Sequence, residues 1–309
     1  AYREELGEVR DYIFGRNRYM AYLISTVRSS FKRVKVGLDT ANGAAFTIAK
    51  NIFDSLGADT YINHDKPDGT NINVDSGSTH IDQFVEFVKE KQLDVGFAFD
   101  GDADRCIAVD NKGQIVDGDT ILYICGSYMK DKGDLVNNTV VTTIMSNMGL
   151  YKALEAKGID YTQTQVGDKY VTQEMLENNY ALGGAQSGHI IFSKYATTGD
   201  GILTALRLME VMIDSKSDLD SLHQEFVVYP QVLKNVRVKD KKTVLENENS
   251  NAEIKRLDDE LGSEGRILVR PSGTEPLIRV MAETKDEESC EEVVNRIVQM
   301  IHDEGLAAE

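Results

Sequence analysis

Tryptophan is absent from this 309-residue chain, and proline (4), cysteine (3) and histidine (5) are scarce. Cys106, Cys125 and Cys290 are an odd number without metal-ligand spacing, which argues against a disulfide framework and for reduced, mostly buried thiols. So few histidines make a His-based metal centre improbable. No apolar run approaches the roughly 18 residues of a membrane helix. The first residues, Ala1-Tyr2-Arg3-Glu4-Glu5, are charged and lack the apolar stretch of a signal peptide, so the expected location is cytoplasmic, with no membrane insertion. Positive charge is also short: 34 Lys+Arg stand against 51 Asp+Glu, a formal net charge of −17. Such a chain repels a phosphate backbone, and nucleic acid is not an expected partner. Any phosphate it binds must be held by a local cluster of cations.

What is present is ordinary globular composition, 41% hydrophobic and 28% charged, with no long-period repeat or low-complexity stretch. Tyr19, Tyr22, Leu23 and Val27 share one helical face. A strand is expected over 34–38, a helix over 45–56 ended by Gly57, a strand over 59–63 and a helix over 81–91. The continuous apolar run 95–99 reads as a strand covered on both faces. A hairpin follows over 107–110 and 114–116, and then a helix with Asp119 as its N-cap. A second βα series starts near 140, with strands over 140–143 and 160–163, a Gly-rich loop over 182–189, a strand over 190–192 and a long helix over 199–214. Near 228 the pattern changes to strands over 232–238, 266–269 and 277–283, with helices over 252–261 and 286–303. The fold class expected is α/β: two related domains with mainly parallel sheets, over 19–130 and 131–228, and a small α+β domain over 229–309. Residues 1–18 read as a linker remnant.

Three loops carry chemistry. Asp100-Gly-Asp-Ala-Asp104-Arg105 leaves the carboxyl end of the apolar strand, where open α/β sheets place their sites. Three carboxylates at alternate positions repel one another, and a hard cation (Mg²⁺, Mn²⁺ or Ca²⁺) resolves the repulsion. An EF-hand would need Gly at the sixth position and Glu at the twelfth; Arg105 and Asn111 stand there. The plain alternative is a solvated acidic turn. Arg270-Pro-Ser-Gly-Thr-Glu-Pro276, with Arg279 beyond it, joins two strands. It combines hydroxyls, backbone N–H groups and guanidiniums in the manner of an anion nest, the alternative being a Pro/Gly turn with incidental arginines. Leu182-Gly-Gly-Ala-Gln-Ser-Gly-His189 is not a nucleotide loop; its Gln186, Ser187 and His189 suit sugar hydroxyls, or a plain turn with one structural histidine.

Taken in order, these loops resemble the α-D-phosphohexomutase superfamily. Asp39-Thr-Ala-Asn-Gly-Ala44, Gly77-Ser-Thr-His80, Val116-Asp-Gly-Asp119, Val166-Gly-Asp-Lys-Tyr-Val171 and Thr197-Thr-Gly-Asp-Gly201 extend the likeness from about Tyr19 to the last helix. Gln186-Ser-Gly-His189 favours the glucosamine branch over the phosphomannomutase/phosphoglucomutase branch. The resemblance implies an isomerase that interconverts glucosamine 6-phosphate and glucosamine 1-phosphate through an enzyme phosphoserine and a bisphosphorylated sugar. It implies Mg²⁺ on Asp100, Asp102 and Asp104, and Arg105 near the phosphoserine. Lys169, Ser187 and His189 would contact the sugar, and Arg270, Ser272, Gly273, Thr274 and Arg279 would grip the phosphate. The partner implied is a phosphosugar; a second copy of the chain or a regulatory protein stays open. Two departures stand out. No Ser-His-Asn phosphoserine loop occurs, so about one further domain, roughly 100–150 residues, is expected outside these 309, and no turnover is expected of the chain alone. Ala185 also occupies the position of the family's usual glutamate in the sugar loop. A non-catalytic module that binds phosphosugar or protein is the rival reading.

Overall fold

The computed structural model describes residues 12–272 and 275–308. They divide into two compact units: the chain up to Ser146 together with Ala153–Phe226, and Asn147–Lys152 together with Val227 onward. No helix among the described residues is long and apolar enough to cross a membrane.

The first unit starts with α1 (Ile13–Thr26), β1 (Lys35–Asp39), α2 (Ala49–Ser55), β2 (Asp59–Asn63), α3 (Asp82–Lys91), β3 (Val95–Phe99), β4 (Cys106–Asp110) and β5 (Ile115–Val116). The sheet order is β2-β1-β3-β4-β5. β1 runs parallel to β2 and β3, and β3 turns back antiparallel into β4, with Phe99 opposite Cys106. Every residue of β3 is buried, as its unbroken apolar run requires. Phe53 links Phe31 and Phe97 at centroid distances of 6.0 and 5.9 Å, while Phe84 and Val88 of α3 join Ala98 and Val109 in a separate cluster. The acidic loop is thereby the connection between two fully buried strands, which fixes its two ends.

The series continues through α4 (Gly118–Lys132), β6 (Thr139–Thr143), α5 (Met148–Ala156), β7 (Asp160–Thr164), α6 (Asp168–Asn178), β8 (Leu182–Gly184), β9 (Ile190–Phe192), α7 (Gly201–Ser215) and α8 (Leu219–His223). The second sheet has the order β7-β6-β8-β9, parallel across its first three strands and antiparallel at β9. Two expectations are corrected here. Leu182–Gly184 is a buried interior strand rather than loop, because β6 and β9 supply its ladder on either side. The N-cap of α4 is Asp117, whose carboxylate accepts from the Thr120 N–H at 3.0 Å; Asp119 lies buried within the first turn.

Helix α1 lies along α7. The Tyr19 hydroxyl donates to Asp200 at 2.8 Å, Arg207 donates to the Thr26 carbonyl at 3.0 Å, the Arg28 N–H donates to Glu210 at 2.8 Å, and Ser29 pairs with Asp214 at 3.0 Å.

In the second unit, β10 (Gln231–Arg237), α9 (Lys241–Glu246), α10 (Glu248–Leu261), β11 (Arg266–Pro271), β12 (Leu277–Glu283) and α11 (Glu287–Asp303) form an antiparallel sheet of order β10-β12-β11 with its helices. Val294, Ile297 and Ile301 of α11 meet Val236, Ile278, Val280 and Ala282 in one core, with Leu257 of α10. At the end of β12, fully buried Glu283 accepts from the Arg266 Nε at 2.6 Å, the Met148 N–H at 2.9 Å and the Gln231 amide at 3.0 Å.

Candidate active site

The acidic loop is a hairpin end pulled tight. Ala103, with φ of 61°, turns the chain, and its N–H donates to the Asp100 carbonyl at 3.1 Å. The Arg105 N–H donates to the Asp100 carboxylate at 3.2 Å. Carboxylate oxygens of Asp100, Asp102 and Asp104 lie within 4.8 Å of one another. Asp100 is buried, Asp104 half-buried and Asp102 exposed, so the cluster grades from core to solvent. Arg105 lies beside it, with Nε 3.6 Å from Asp100 and 3.8 Å from Asp104, and makes no hydrogen bond through that atom among the described residues.

Burial first, then the neighbouring Asp104 and Asp102 charges, push the Asp100 carboxyl up to about 6. A carboxyl raised above its unfolded value near ~3.9 stabilises the fold when protonated. That contribution is complete below about pH 4 and is lost as pH rises through about 6. In metal-free buffer the Asp100 contribution to the unfolding free energy should therefore fall by up to about 2–3 kcal/mol across this window, at ~1.4 kcal/mol per pKa unit, against the opposite slope of carboxylates held below their usual range such as Asp110. Asp100→Asn should remove that slope in a urea series, and an unchanged slope in the variant would clear Asp100 of it.

The turn after β8 docks on this loop. The Cys106 N–H donates to the Gly188 carbonyl at 3.0 Å, and Arg105 and His189 form an antiparallel bridge. The Gly118 N–H donates to the Gln186 carbonyl at 2.9 Å, and the Gln186 amide donates to Asp117 at 3.2 Å, which clamps the turn to the start of α4. Of the residues assigned to sugar contact, Ser187 and Lys169 are exposed, with the Lys169 ammonium 4.6 Å over the Tyr170 ring. His189 is only 3% exposed. Its Nδ1 lies 3.0 Å from Asp104 and its Nε2 3.1 Å from the Gly199 N–H, so both ring nitrogens are engaged inside the protein.

The second unit carries the arginine-bearing turn. Arg270 and Arg279 are directly opposed on β11 and β12. Like charges in that register repel, and burial followed by the Arg279 charge draws the Arg270 pKa down from the usual guanidinium range. Neither Nε has a hydrogen-bond partner among the described residues. Ser272 is buried, and its hydroxyl accepts from the Glu275 N–H at 3.3 Å. Gly273 and Thr274 lie outside the described residues. Sequence reasoning missed Lys241, whose ammonium donates to the Ser272 carbonyl at 2.7 Å and the Glu275 carbonyl at 3.2 Å. Its only advance signal is the preceding Asp240, a good N-cap.

Clustered carboxylates at the carboxyl end of a buried strand, with a polar turn bound against them, stand where open α/β enzymes place their sites, and the comparisons with known proteins give the family. The chain belongs to the phosphoglucomutase/phosphomannomutase family: its α/β/α domain II model matches residues 17–113, its α/β/α domain III model 117–229 and its C-terminal domain model 233–300. The family's enzymes are phosphohexomutases, a class of isomerase. Among curated relatives, the phosphoglucosamine mutase of Lachnospira eligens is 56% identical over 307 residues, covering 99% of this chain and 68% of that protein. That of Lachnoclostridium phytofermentans is 55% identical over 305 residues, with 99% and 68% covered. The chain thus spans about two thirds of their length. The fold recurs in Aspergillus fumigatus N-acetylphosphoglucosamine mutase, with a TM-score of 0.77 at 18% identity, covering 94% of this chain and 64% of that one. A further structure of that enzyme, in complex with GlcNAc-6P and magnesium, has a TM-score of 0.71 at 18% identity and covers 92% and 68%.

Proposed function

We propose that this chain is the sugar- and cation-handling part of a phosphoglucosamine mutase, interconverting glucosamine 6-phosphate and glucosamine 1-phosphate. The observation that carries the reading is the docking of the Gln-Ser-Gly-His turn against the acidic loop within one unit. The name shared by relatives at 51–56% identity supports it. An all-carboxylate donor set with a carboxyl already raised by burial and by its neighbours' charges fits Mg²⁺, which would be held by Asp100, Asp102 and Asp104. When bound, the cation offsets charge on the phosphoryl group in transfer. The Arg105 guanidinium, anchored beside the same carboxylates, meets the phosphate. Ser187 and Lys169 supply hydrogen bonds to the sugar. Arg270 and Arg279, with Ser272, Gly273 and Thr274, hold the phosphate that is not transferred, and its charge relieves the repulsion between the two guanidiniums.

The 309 residues contain no Ser-His-Asn loop, so the phosphoserine is supplied from outside them. In a coupled assay with glucosamine 6-phosphate and Mg²⁺, the chain alone should give no turnover. Adding the segment of the L. eligens relative that these 309 residues do not cover, together with Ala185→Glu, should restore it. Turnover by the chain alone would refute the reading. Ala185 favours one rival, a non-catalytic phosphosugar-binding module. That rival gains if the L. eligens enzyme, split at the same point, recovers activity on mixing while this chain stays silent. Failure of mannose and glucose phosphates to compete on the restored form would decide against the phosphomannomutase/phosphoglucomutase alternative, and effective competition would favour it.

A further inference from the structure

A cavity of about 360 Å³ opens within the first unit, between the end of α1, the later turns of α4, β9 and α7. No residue of the acidic loop or of the turn docked on it lines this cavity. Its size falls in the range of small-molecule sites, which combine an apolar lining with a few placed polar groups. Both parts are present. Buried Cys125, Ala181, Phe192 and Val211, with half-buried Met129, make an apolar wall. Burial pushes the Cys125 thiol up to about 12, so it stays a protonated, unreactive part of that wall.

The polar lining is weighted toward positive charge. Arg28, Lys132, Lys194 and Arg207 share it with Asp134, Glu210 and Asp214, which reverses the balance of a chain whose net charge is −17. Two of the carboxylates are occupied. Glu210 pairs with Arg207 at 2.5 Å and accepts from the Arg28 N–H at 2.8 Å. Asp214 accepts from Tyr128 at 2.6 Å and Ser29 at 3.0 Å, with the Lys132 ammonium 4.0 Å away. Exposed Asp134 has no partner among the described residues. Nor do the exposed Arg28 guanidinium and Lys194 ammonium have a carboxylate partner there; Lys194 rests only over the Tyr195 ring, at 5.7 Å. Arg207, by contrast, is 7% exposed and fixed by the Thr26 carbonyl and the Tyr195 hydroxyl at 3.0 and 3.2 Å. Its Nε is a buried donor without a partner among the described residues, so the wall holds more donor capacity than the protein uses.

We infer that this cavity is a second binding site, for a small ring-bearing anion: a flat apolar body against the wall of Cys125, Phe192 and Val211, and a phosphate or carboxylate head held by Arg28 and Lys194. Three aromatic side chains in the lining, Tyr128, Phe192 and Tyr195, suit a ring rather than a flexible chain. The two unpaired cations supply charge-assisted hydrogen bonds to the head, and the body screens those bonds from water. The inference does not depend on the mutase reading, and its failure would leave that reading untouched.

Methyl spectra of the full 309-residue chain, labelled with ¹³C-methyl methionine, test this with phenyl phosphate as the probe. The Met129 signal, assigned from its loss in Met129→Leu, should shift and saturate. Inorganic phosphate and phenol each carry half of the probe and should bind about tenfold more weakly or worse. Phosphate also suits the Arg270 turn, so Met281 on β12 reports that place separately. Arg28→Glu combined with Lys194→Glu should weaken the Met129 response about tenfold or more, and both residues are exposed, so the fold loses little by the change. Lys91→Glu, an equal charge reversal at an exposed position of α3, should leave the response unchanged. A shift at Met281 with none at Met129 overturns the inference. So does an equal response to inorganic phosphate, or an undiminished one in the double variant.

Discussion

Gly188→Ala is expected to destabilise the first unit by about 3 kcal/mol or more and to weaken the cation site with it. Gly188 has φ of +91°, and a Cβ there would lie 2.3 Å from the Cys106 carbonyl oxygen. Positive φ in a residue with a side chain costs about 1–3 kcal/mol. Forcing extra volume into a packed contact costs about another 1–3 kcal/mol. The atom in the way is backbone, so it cannot swing aside as a flexible side chain would. Cys106 opens β4 directly after the acidic loop, and displacing it moves Arg105 and Asp104. Gly133→Ala is the control. Its φ is +74°, yet nothing lies within 4 Å of the added methyl, so it reports the backbone term alone. Urea unfolding should show a clearly larger loss for Gly188→Ala, together with weaker Mn²⁺ binding. Equal losses for the two variants would mean that the turn yields freely and does not grip the hairpin.

Glu283→Ala should cost about 3–5 kcal/mol, the range for breaking a buried ion pair from one side. Glu283 is fully buried and holds the start of α5, β10 and β11 to the end of β12 through Met148, Gln231 and Arg266. The alanine variant leaves the Met148 N–H and the Arg266 guanidinium without their carboxylate and opens a void. Glu283→Gln keeps an acceptor oxygen while losing the charge, and should fall between alanine and wild type. A loss under about 1 kcal/mol for alanine would place the pair among exposed, weakly contributing bridges.

Much of this molecule is legible in its residues. The apolar run at 95–99 is readable as a doubly covered strand because nothing polar interrupts it, and the carboxylates that follow it fall where such a strand must end. The long stripe of α11, with Val294, Ile297 and Ile301 buried, is readable for the same reason: one period, uninterrupted. Leu182–Gly184 is not readable, since two glycines in three residues carry no strand signal; β6 and β9 impose the conformation from either side. The short helices α8 and α9 are too brief to show a period. The roles of single polar groups are hardest of all. Asp117 and Asp119 are equally good caps on paper, and only the register of the first turn chooses between them. His189 reads as one more polar residue of its loop, and nothing in the sequence announces that its two ring nitrogens lie against Asp104 and the Gly199 N–H.

The four hydrogen bonds between α1 with its following residues and α7 have a practical corollary for anyone trimming this chain. Asp200 caps α7 and sits between Gly199, which holds His189, and Gly201, whose N–H donates to the Ala103 carbonyl at 2.9 Å. A truncation that removed Tyr19 would strip the hydroxyl from a largely enclosed Asp200 carboxylate, whose proton affinity burial already raises. The leading helix therefore serves as a splint for the acidic hairpin, and a shortened version should keep everything from Tyr19 onward.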